Sequence, residues 1–134
     1  MTYDDIKIGA VYEFKKTITQ AEVMKFAELS GDYNPLHSDP EFGARSQFGQ
    51  NIVHGMLGAS FFSTLVGMYC PGKQSLYLSQ TLQFKKPLFY NDQIIVRGTV
   101  TDKQDSVQVI ILKTEILKNN EVIISGEARV RVLV

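Results

Sequence analysis

The pattern of apolar and polar positions changes character about midway along the chain. Up to Gly72 it is a pattern of helices and polar loops; beyond it, alternation with a period of two takes over. Val11 to Thr17 is a short alternating run and predicts a strand. Thr19-Gln20-Ala21-Glu22 is a capping-box sequence, in which a hydroxyl and a carboxylate satisfy the free N–H groups of a helix start. The helix it opens carries an apolar stripe of Val23, Met24, Ala27 and Leu29 to about Ser30, where Gly31 stops it. Residues 31–38, Gly-Asp-Tyr-Asn-Pro-Leu-His-Ser, have the composition of an ordered turn. Ser38-Asp39-Pro40-Glu41 starts a second helix, kept short by Gly43 and Gly49. A long apolar helix then begins near His54 and ends near Cys70.

In the second half, Leu76, Leu78, Leu82 and Phe84 share one face of a strand, and Tyr77, Ser79, Thr81 and Gln83 the other. Pro87 and Asn91-Asp92 mark a turn. Ile94 to Lys103 is a strand weakened at Gly98, and Val107, Val109 and Ile111 begin the next. Asn119-Asn120 predicts a hairpin turn, because Asn tolerates positive φ. Val122, Ile124, Gly126, Ala128, Val130, Val132 and Val134 alternate to the end. Four consecutive strands joined by hairpins form an antiparallel sheet, and its apolar face needs a cover. Only the 53–70 helix is apolar enough to provide it. The expected class is α+β: a curved antiparallel sheet wrapped around one long central helix. A generic two-layer α+β domain is the other arrangement the pattern allows.

Composition narrows the classes further. The 134 residues suffice for one domain, 1–134, with its own core, and no linker or repeat divides them. A hydrophobic fraction of 44% and a charged fraction of 21% exclude disordered, collagen-like and coiled-coil chains. Fourteen Lys+Arg against fourteen Asp+Glu leave no basic excess, so no nucleic-acid partner is expected. Ile52 to Cys70 approaches the roughly 20 residues that span a bilayer. Its glycines, serines, Thr64 and His54, and the strands that need a cover, favour burial in the core, so no membrane partner is expected. A single cysteine excludes an intrachain disulfide framework. The polar, acidic start Met1–Asp5 does not resemble a signal peptide, and the expected compartment is the cytoplasm.

Candidate chemistry centres on aspartate and histidine. Asp32 and His37 lie in one loop after a helix, with Asn34 and Pro35 between them to fix its shape. The same residues also fit a plain turn in which Asp32 caps and His37 is solvated. His54-Gly55 opens the apolar helix, where free N–H groups and the helix dipole favour negative charge. Gly55 either lets an oxyanion approach its N–H or simply relieves crowding where the helix enters the core. Of Ser60, Ser63 and Thr64 on that helix, at least two fit back-bonding to its carbonyls. No phosphate-binding loop and no nucleophile elbow occurs. Cys70 fits a buried inert thiol, and Lys85 and Lys86 a solvated strand end or, as the lesser alternative, a contact for a phosphate. Two separate histidines and one aspartate make a poor metal site.

The run Phe26-Ala-Glu-Leu-Ser-Gly-Asp32-Tyr-Asn34-Pro35-Leu-His37 resembles the signature of the MaoC-like hydratases, also called hydratase 2. The likeness continues through Ile52-Val-His-Gly55-Met-Leu and Leu76-Tyr-Leu-Ser-Gln-Thr-Leu-Gln-Phe-Lys-Lys-Pro-Leu, covering the chain from residue 11 onward. Within the family it resembles the small bacterial (R)-specific enoyl-CoA hydratases. The resemblance implies a hot dog fold, a homodimer and a hydro-lyase that needs no metal or other cofactor. It implies reversible addition of water to trans-2-enoyl-CoA, giving (R)-3-hydroxyacyl-CoA for fatty-acid or polyhydroxyalkanoate precursor metabolism. Asp32 and His37 match the catalytic pair, and Gly55 the residue whose N–H polarises the thioester carbonyl. Asn34 matches the residue that shapes the catalytic loop, and Ser63 one that lines the substrate site. The family usually carries Ala or Ser six residues after the histidine; Gly43 stands there, still small, and little consequence is expected. Three rivals share much of the pattern: a 3-hydroxyacyl-carrier-protein dehydratase, a hot dog thioesterase, and a non-catalytic module that binds acyl thioesters.

Overall fold

A computed structural model describes residues Met1–Val134. The elements follow in the order β1 (Val11–Thr17), α1 (Gln20–Ser30), α2 (Pro35–Ser38), α3 (Pro40–Arg45), α4 (Gly55–Thr64), β2 (Ser75–Gln80), β3 (Gln83–Phe84), β4 (Gln93–Gln104), β5 (Val109–Lys118) and β6 (Glu121–Val132). A short 3₁₀ turn, Tyr3–Asp5, precedes β1.

The capping box at the start of α1 forms as the sequence predicts. Glu22 N–H donates to the Thr19 hydroxyl, and Thr19 N–H donates to the Glu22 carboxylate at 3.0 Å. Gly31 closes the helix in the left-handed conformation, φ 81°, which glycine enters without the cost of a Cβ. The long helix runs as α4 and then as a π-helical turn over Leu65–Tyr69, where Cys70 N–H reaches back to the Leu65 carbonyl.

All strand pairs are antiparallel, in the order β1-β4-β5-β6-β2, with β3 on the same flank of β6 as β2. Val23, Leu57, Phe62, Leu65, Ile94, Val96, Ile116 and Ile124 form one part of the core between sheet and helix. Val66, Cys70, Val100, Ile110, Leu112 and Val130 form the other. The α+β expectation of a sheet curled around one helix holds, and this is the hot dog architecture. No helix is long and apolar enough to cross a membrane.

Several details differ from the sequence-based expectation, beginning with α2, a helical turn within residues 31–38 that the composition marks as a turn. The run after Gly72 is two strands rather than one, with a register shift between Tyr77 and Ser79. Leu76, Leu78 and Phe84 are half exposed there, and Tyr77 packs on the core instead, because β2 is an edge strand with one open face. β4 continues unbroken through Gly98; a Cβ at that position would stand 2.7 Å from Leu65, so the missing side chain is what lets the helix press on the sheet. The helix is covered on one side only: Leu57, Phe62 and Leu65 are buried, whereas Met56 and Met68 are exposed.

Candidate active site

The loop between α1 and α3 is built from local side-chain turns. The Asp32 carboxylate accepts Asn34 N–H at 3.1 Å, and the Asn34 side-chain oxygen accepts Leu36 N–H at 3.0 Å. These successive Asx turns, with Pro35 at the first helical position, launch the four-residue α2 that carries His37. The Nδ1 of His37 lies 2.8 Å from the Ile52 carbonyl. A carbonyl only accepts, so Nδ1 carries the proton and Nε2 keeps a free lone pair. The hydroxyl of Tyr90 donates to the backbone carbonyl of His37, and burial pushes that hydroxyl's pKa up, which keeps it a donor.

His54, immediately before α4, is buried and stacks on His37 with ring centroids 4.0 Å apart. Its Nε2 lies 3.0 Å from the Asp32 carbonyl and 4.0 Å from Oδ2 of Asp32. By the same argument Nε2 donates, and Nδ1, buried without a partner, is sealed from the site. Thus only His37 offers a basic nitrogen. The two histidines, separate in the sequence, are neighbours in the fold. Donor atoms of Asp32, His37 and His54 lie within 4.8 Å of one another. Two of the imidazole nitrogens are spent on carbonyls and one is sealed. That leaves His37 Nε2 and the half-exposed Asp32 carboxylate, short of the three protein ligands of a catalytic zinc site.

His37, His54 and Gly55 line a cavity of about 300 Å³, closed by Phe84, Leu88 and Ile124, with Lys85 and Lys86 also in its wall. Gly55 is the first residue of α4, so its N–H has no acceptor within the helix and faces no competing internal bond. The ring of Phe84 lies against it: a Cβ on Gly55 would stand 2.9 Å from two ring carbons. The structure brings Asp32, Asn34 and His37 onto one loop, and His37 and Gly55 into one cavity. Ser63 is not in that cavity. It lines a second hollow of about 480 Å³ farther along α4, with Phe26, Met56, Phe62, Tyr77 and Leu82. Of the three hydroxyls on the helix, only Ser60 back-bonds, to the Leu57 carbonyl at 2.5 Å, where the pattern predicts at least two. Cys70 is buried and free, and burial pushes its thiol pKa to about 11.

Sequence reasoning passed over Asn51, Phe84 and Tyr90. Their partners are distant in the chain, and no local spacing marks them. It also underrated Gly43. A Cβ there would meet Asn51 at 2.5–2.8 Å, so glycine at this position is required rather than merely tolerated.

Comparison with known proteins gives the family and the fold. The MaoC-like domain family matches residues 5–121. An (R)-specific enoyl-CoA hydratase of Aeromonas caviae is 41% identical over 98% of this chain and 98% of its own length. A mitochondrial 3-hydroxyacyl-[acyl-carrier-protein] dehydratase of Arabidopsis thaliana is 32% identical over 92% of this chain and 75% of its own. The solved structure of an R-hydratase from Pseudomonas aeruginosa superposes with a TM-score of 0.94 at 30% identity, covering 98% of this chain and 84% of that one.

Proposed function

Because the chain belongs to the MaoC-like domain family, we propose that it is an (R)-specific enoyl-CoA hydratase, a hydro-lyase adding water reversibly to trans-2-enoyl-CoA. The observation that carries this reading is the meeting of three groups: a free imidazole nitrogen on His37, the Asp32 carboxylate beside it, and the unbonded Gly55 N–H in the same cavity. The carboxylate and Nε2 together hold one water and take its proton as its oxygen bonds to C3. The C2–C3 π electrons move toward the thioester carbonyl, whose oxygen gathers negative charge. The Gly55 N–H and the positive end of α4 stabilise that charge as it develops. The proton then passes to C2, which regenerates the pair and yields the (R)-3-hydroxyacyl thioester. Asn34 shapes the loop through its bond to Leu36 N–H. Ser63 contributes through the neighbouring apolar hollow, which suits the far end of an acyl chain.

The carrier is coenzyme A in this reading, since a relative similar over almost its whole length is an enoyl-CoA hydratase. Lys85 at the cavity suits a phosphate of such a carrier, while the neighbouring Lys86 is paired with Glu121. The working unit is a homodimer. Edge strand β2 presents open backbone groups and two half-exposed leucines, Leu76 and Leu78, and α4 leaves Met56 and Met68 uncovered. The single buried, unpaired Cys70 fits a reducing compartment such as the cytoplasm.

The test is hydration of crotonyl-CoA followed at the enoyl absorbance, with chiral analysis of the product and crotonyl-acyl-carrier-protein as a parallel substrate. Formation of (R)-3-hydroxybutyryl-CoA is the expected result. Exclusively (S) product contradicts the mechanism. Turnover of the carrier-protein substrate alone moves the assignment to the dehydratase of fatty-acid synthesis. Release of free thiol without hydration moves it to a thioesterase.

A further inference from the structure

Among the bonds that fasten the loop carrying His37 to the rest of the molecule, three come from one buried amide. Asn51 is only 6% exposed, and its Nδ2 stands 3.2 Å from the Pro35 carbonyl, 3.0 Å from that of Leu36 and 2.9 Å from that of Asp39. The first two belong to the opening turn of α2 and the third to the residue that caps α3; each also accepts a backbone N–H, from Asp39, Ile52 and Gly43 respectively, so the amide adds a second donor at each. A four-residue helix has no stability of its own, so contacts from elsewhere must set its orientation.

The residue after Asn51 completes the grip. Ile52 N–H donates to the Leu36 carbonyl at 3.2 Å, and the Ile52 carbonyl accepts the His37 Nδ1–H at 2.8 Å. The side chain that closes α2 and the carbonyl that orients His37 therefore belong to adjacent residues. This segment is itself anchored to the chain that follows β3. Val53 N–H donates to the Leu88 carbonyl at 2.7 Å, and Ile52 bridges to Phe89.

Asn51 fits only because residue 43 is glycine. A Cβ at Gly43 would stand 2.5 Å from the Asn51 Nδ2, 2.8 Å from its Cγ and 2.6 Å from its backbone nitrogen. Neither group can yield. One is backbone, and the other is held by three carbonyls. The departure from the usual Ala or Ser at position 43 thus has a use in this chain: it houses the amide.

We propose that Asn51, seated in the space left by Gly43, is a positioning residue that sets the tautomer and direction of the His37 ring by holding α2 against residues 51–52. The inference rests on the reading of His37 as the acid/base of a hydratase. Asn51 touches no reacting atom. It acts through the carbonyls of α2 and the adjacent Ile52. Its loss frees α2 to drift, weakens the Nδ1–Ile52 bond and lets the ring exchange tautomers.

Asn51→Asp keeps the size but replaces both N–H donors with an acceptor facing three carbonyls. Gly43→Ala displaces the amide without touching it, and Asn51→Ser keeps one donor and adds no bulk. Misplacement of a reacting group by about 1 Å costs on the order of 10²-fold. Turnover per folded molecule on crotonyl-CoA should fall toward that value in Asn51→Asp and Gly43→Ala, less in Asn51→Ser, with KM nearly unchanged. The Gly43→Ala/Asn51→Ala double variant should be no worse than Asn51→Ala. Long-range ¹H–¹⁵N spectra at alkaline pH should show a single Nδ1–H tautomer of His37 in the parent and a mixture in the variants.

Folded variants that lose only stability, keeping parental kcat and a single His37 tautomer, overturn the proposal. So does a loss confined to KM. If Asn51→Asp does not fold, Asn51→Ser and Gly43→Ala decide by the same criteria. If the parent protein itself fails to hydrate crotonyl-CoA, the functional reading falls, and the tautomer measurement still decides the role of Asn51.

Discussion

Adding one carbon at Gly55 should separate catalysis from packing, because an equivalent addition at Gly58 provides the control on the same helix. A Cβ at Gly55 would stand 2.9 Å from Cδ1 and Cε1 of Phe84, against 3.4–4 Å for ordinary contact. Phe84 is half exposed on a two-residue strand, so its ring has room to retreat, and the fold should tolerate the change. The new methyl and the displaced ring crowd the approach to the Gly55 N–H. At Gly58 a Cβ would stand 2.9 Å from Ile124 Cδ1 and 3.4 Å from Leu88 Cδ1, the ends of two buried side chains that also line the cavity. Overpacking of that kind costs about 1–3 kcal/mol, offset by about 1 kcal/mol from the better helix propensity of alanine. Gly58→Ala should therefore lose up to about 2 kcal/mol of stability. It leaves the Gly55 N–H open and presses only on cavity-wall methyls, so its loss of turnover per folded molecule should stay far below that of Gly55→Val. Gly55→Val should stay folded and lose about 10²–10³-fold in turnover, the usual cost of one oxyanion donor. Gly55→Ala should fall between Gly55→Val and the parent. The assays are urea unfolding and crotonyl-CoA hydration on the same samples. A folded Gly55→Val protein with near-parental turnover refutes the oxyanion role.

The Cys70 thiol, buried and with its pKa pushed up to about 11, should resist Ellman's reagent at pH 8 in the native protein and react fully in urea; rapid native labelling would contradict the packing. Glu22 accepts from Lys16 at 2.5 Å and from the Thr19 cap, which hold its carboxyl pKa below the ordinary value of 4.5. The unfolded chain therefore takes up that proton first as the pH falls, so the contribution is full above 4.5 and lost as the pH drops through the lowered folded value. Glu22→Ala should cost about 1 kcal/mol at pH 7, and the gap should narrow in urea melts at acid pH; a gap that widens there would contradict the sign. Sedimentation should show a dimer at micromolar concentration, and Leu78→Lys on the exposed edge should weaken it; a stable parental monomer would remove the interface on β2 and α4.

Much of the fold is legible in the sequence because its signals are local. The Thr19–Glu22 box and Gly31 bracket α1, and the alternation from Ile94 onward marks β4 to β6. The face of β2 is not legible. Whether Leu76 or Tyr77 turns inward depends on the strand lying at an edge, which is a property of the whole sheet. In the site, Asp32, Asn34 and His37 are legible because one loop carries them all. The stacking of His54 on His37, the Tyr90 hydroxyl on the His37 carbonyl and the Asn51 amide across three carbonyls are not. Each joins residues that only the closed fold brings together. Ser63, which the resemblance places in the substrate site, lines the neighbouring hollow, because eight residues of α4 carry it about 12 Å along the helix from Gly55.

The most direct test of the central claim is the rate of crotonyl-CoA hydration by Asp32→Asn at matched folded concentration. The asparagine keeps the shape, and its side-chain oxygen can still accept Asn34 N–H, but it cannot take a proton from water. A positioned acid/base group contributes about 10²–10⁴-fold, and a loss of that size in a protein that melts like the parent is the predicted result. A folded Asp32→Asn protein whose rate stays within a few-fold of the parent would contradict the account and leave Asp32 a turn-forming residue only.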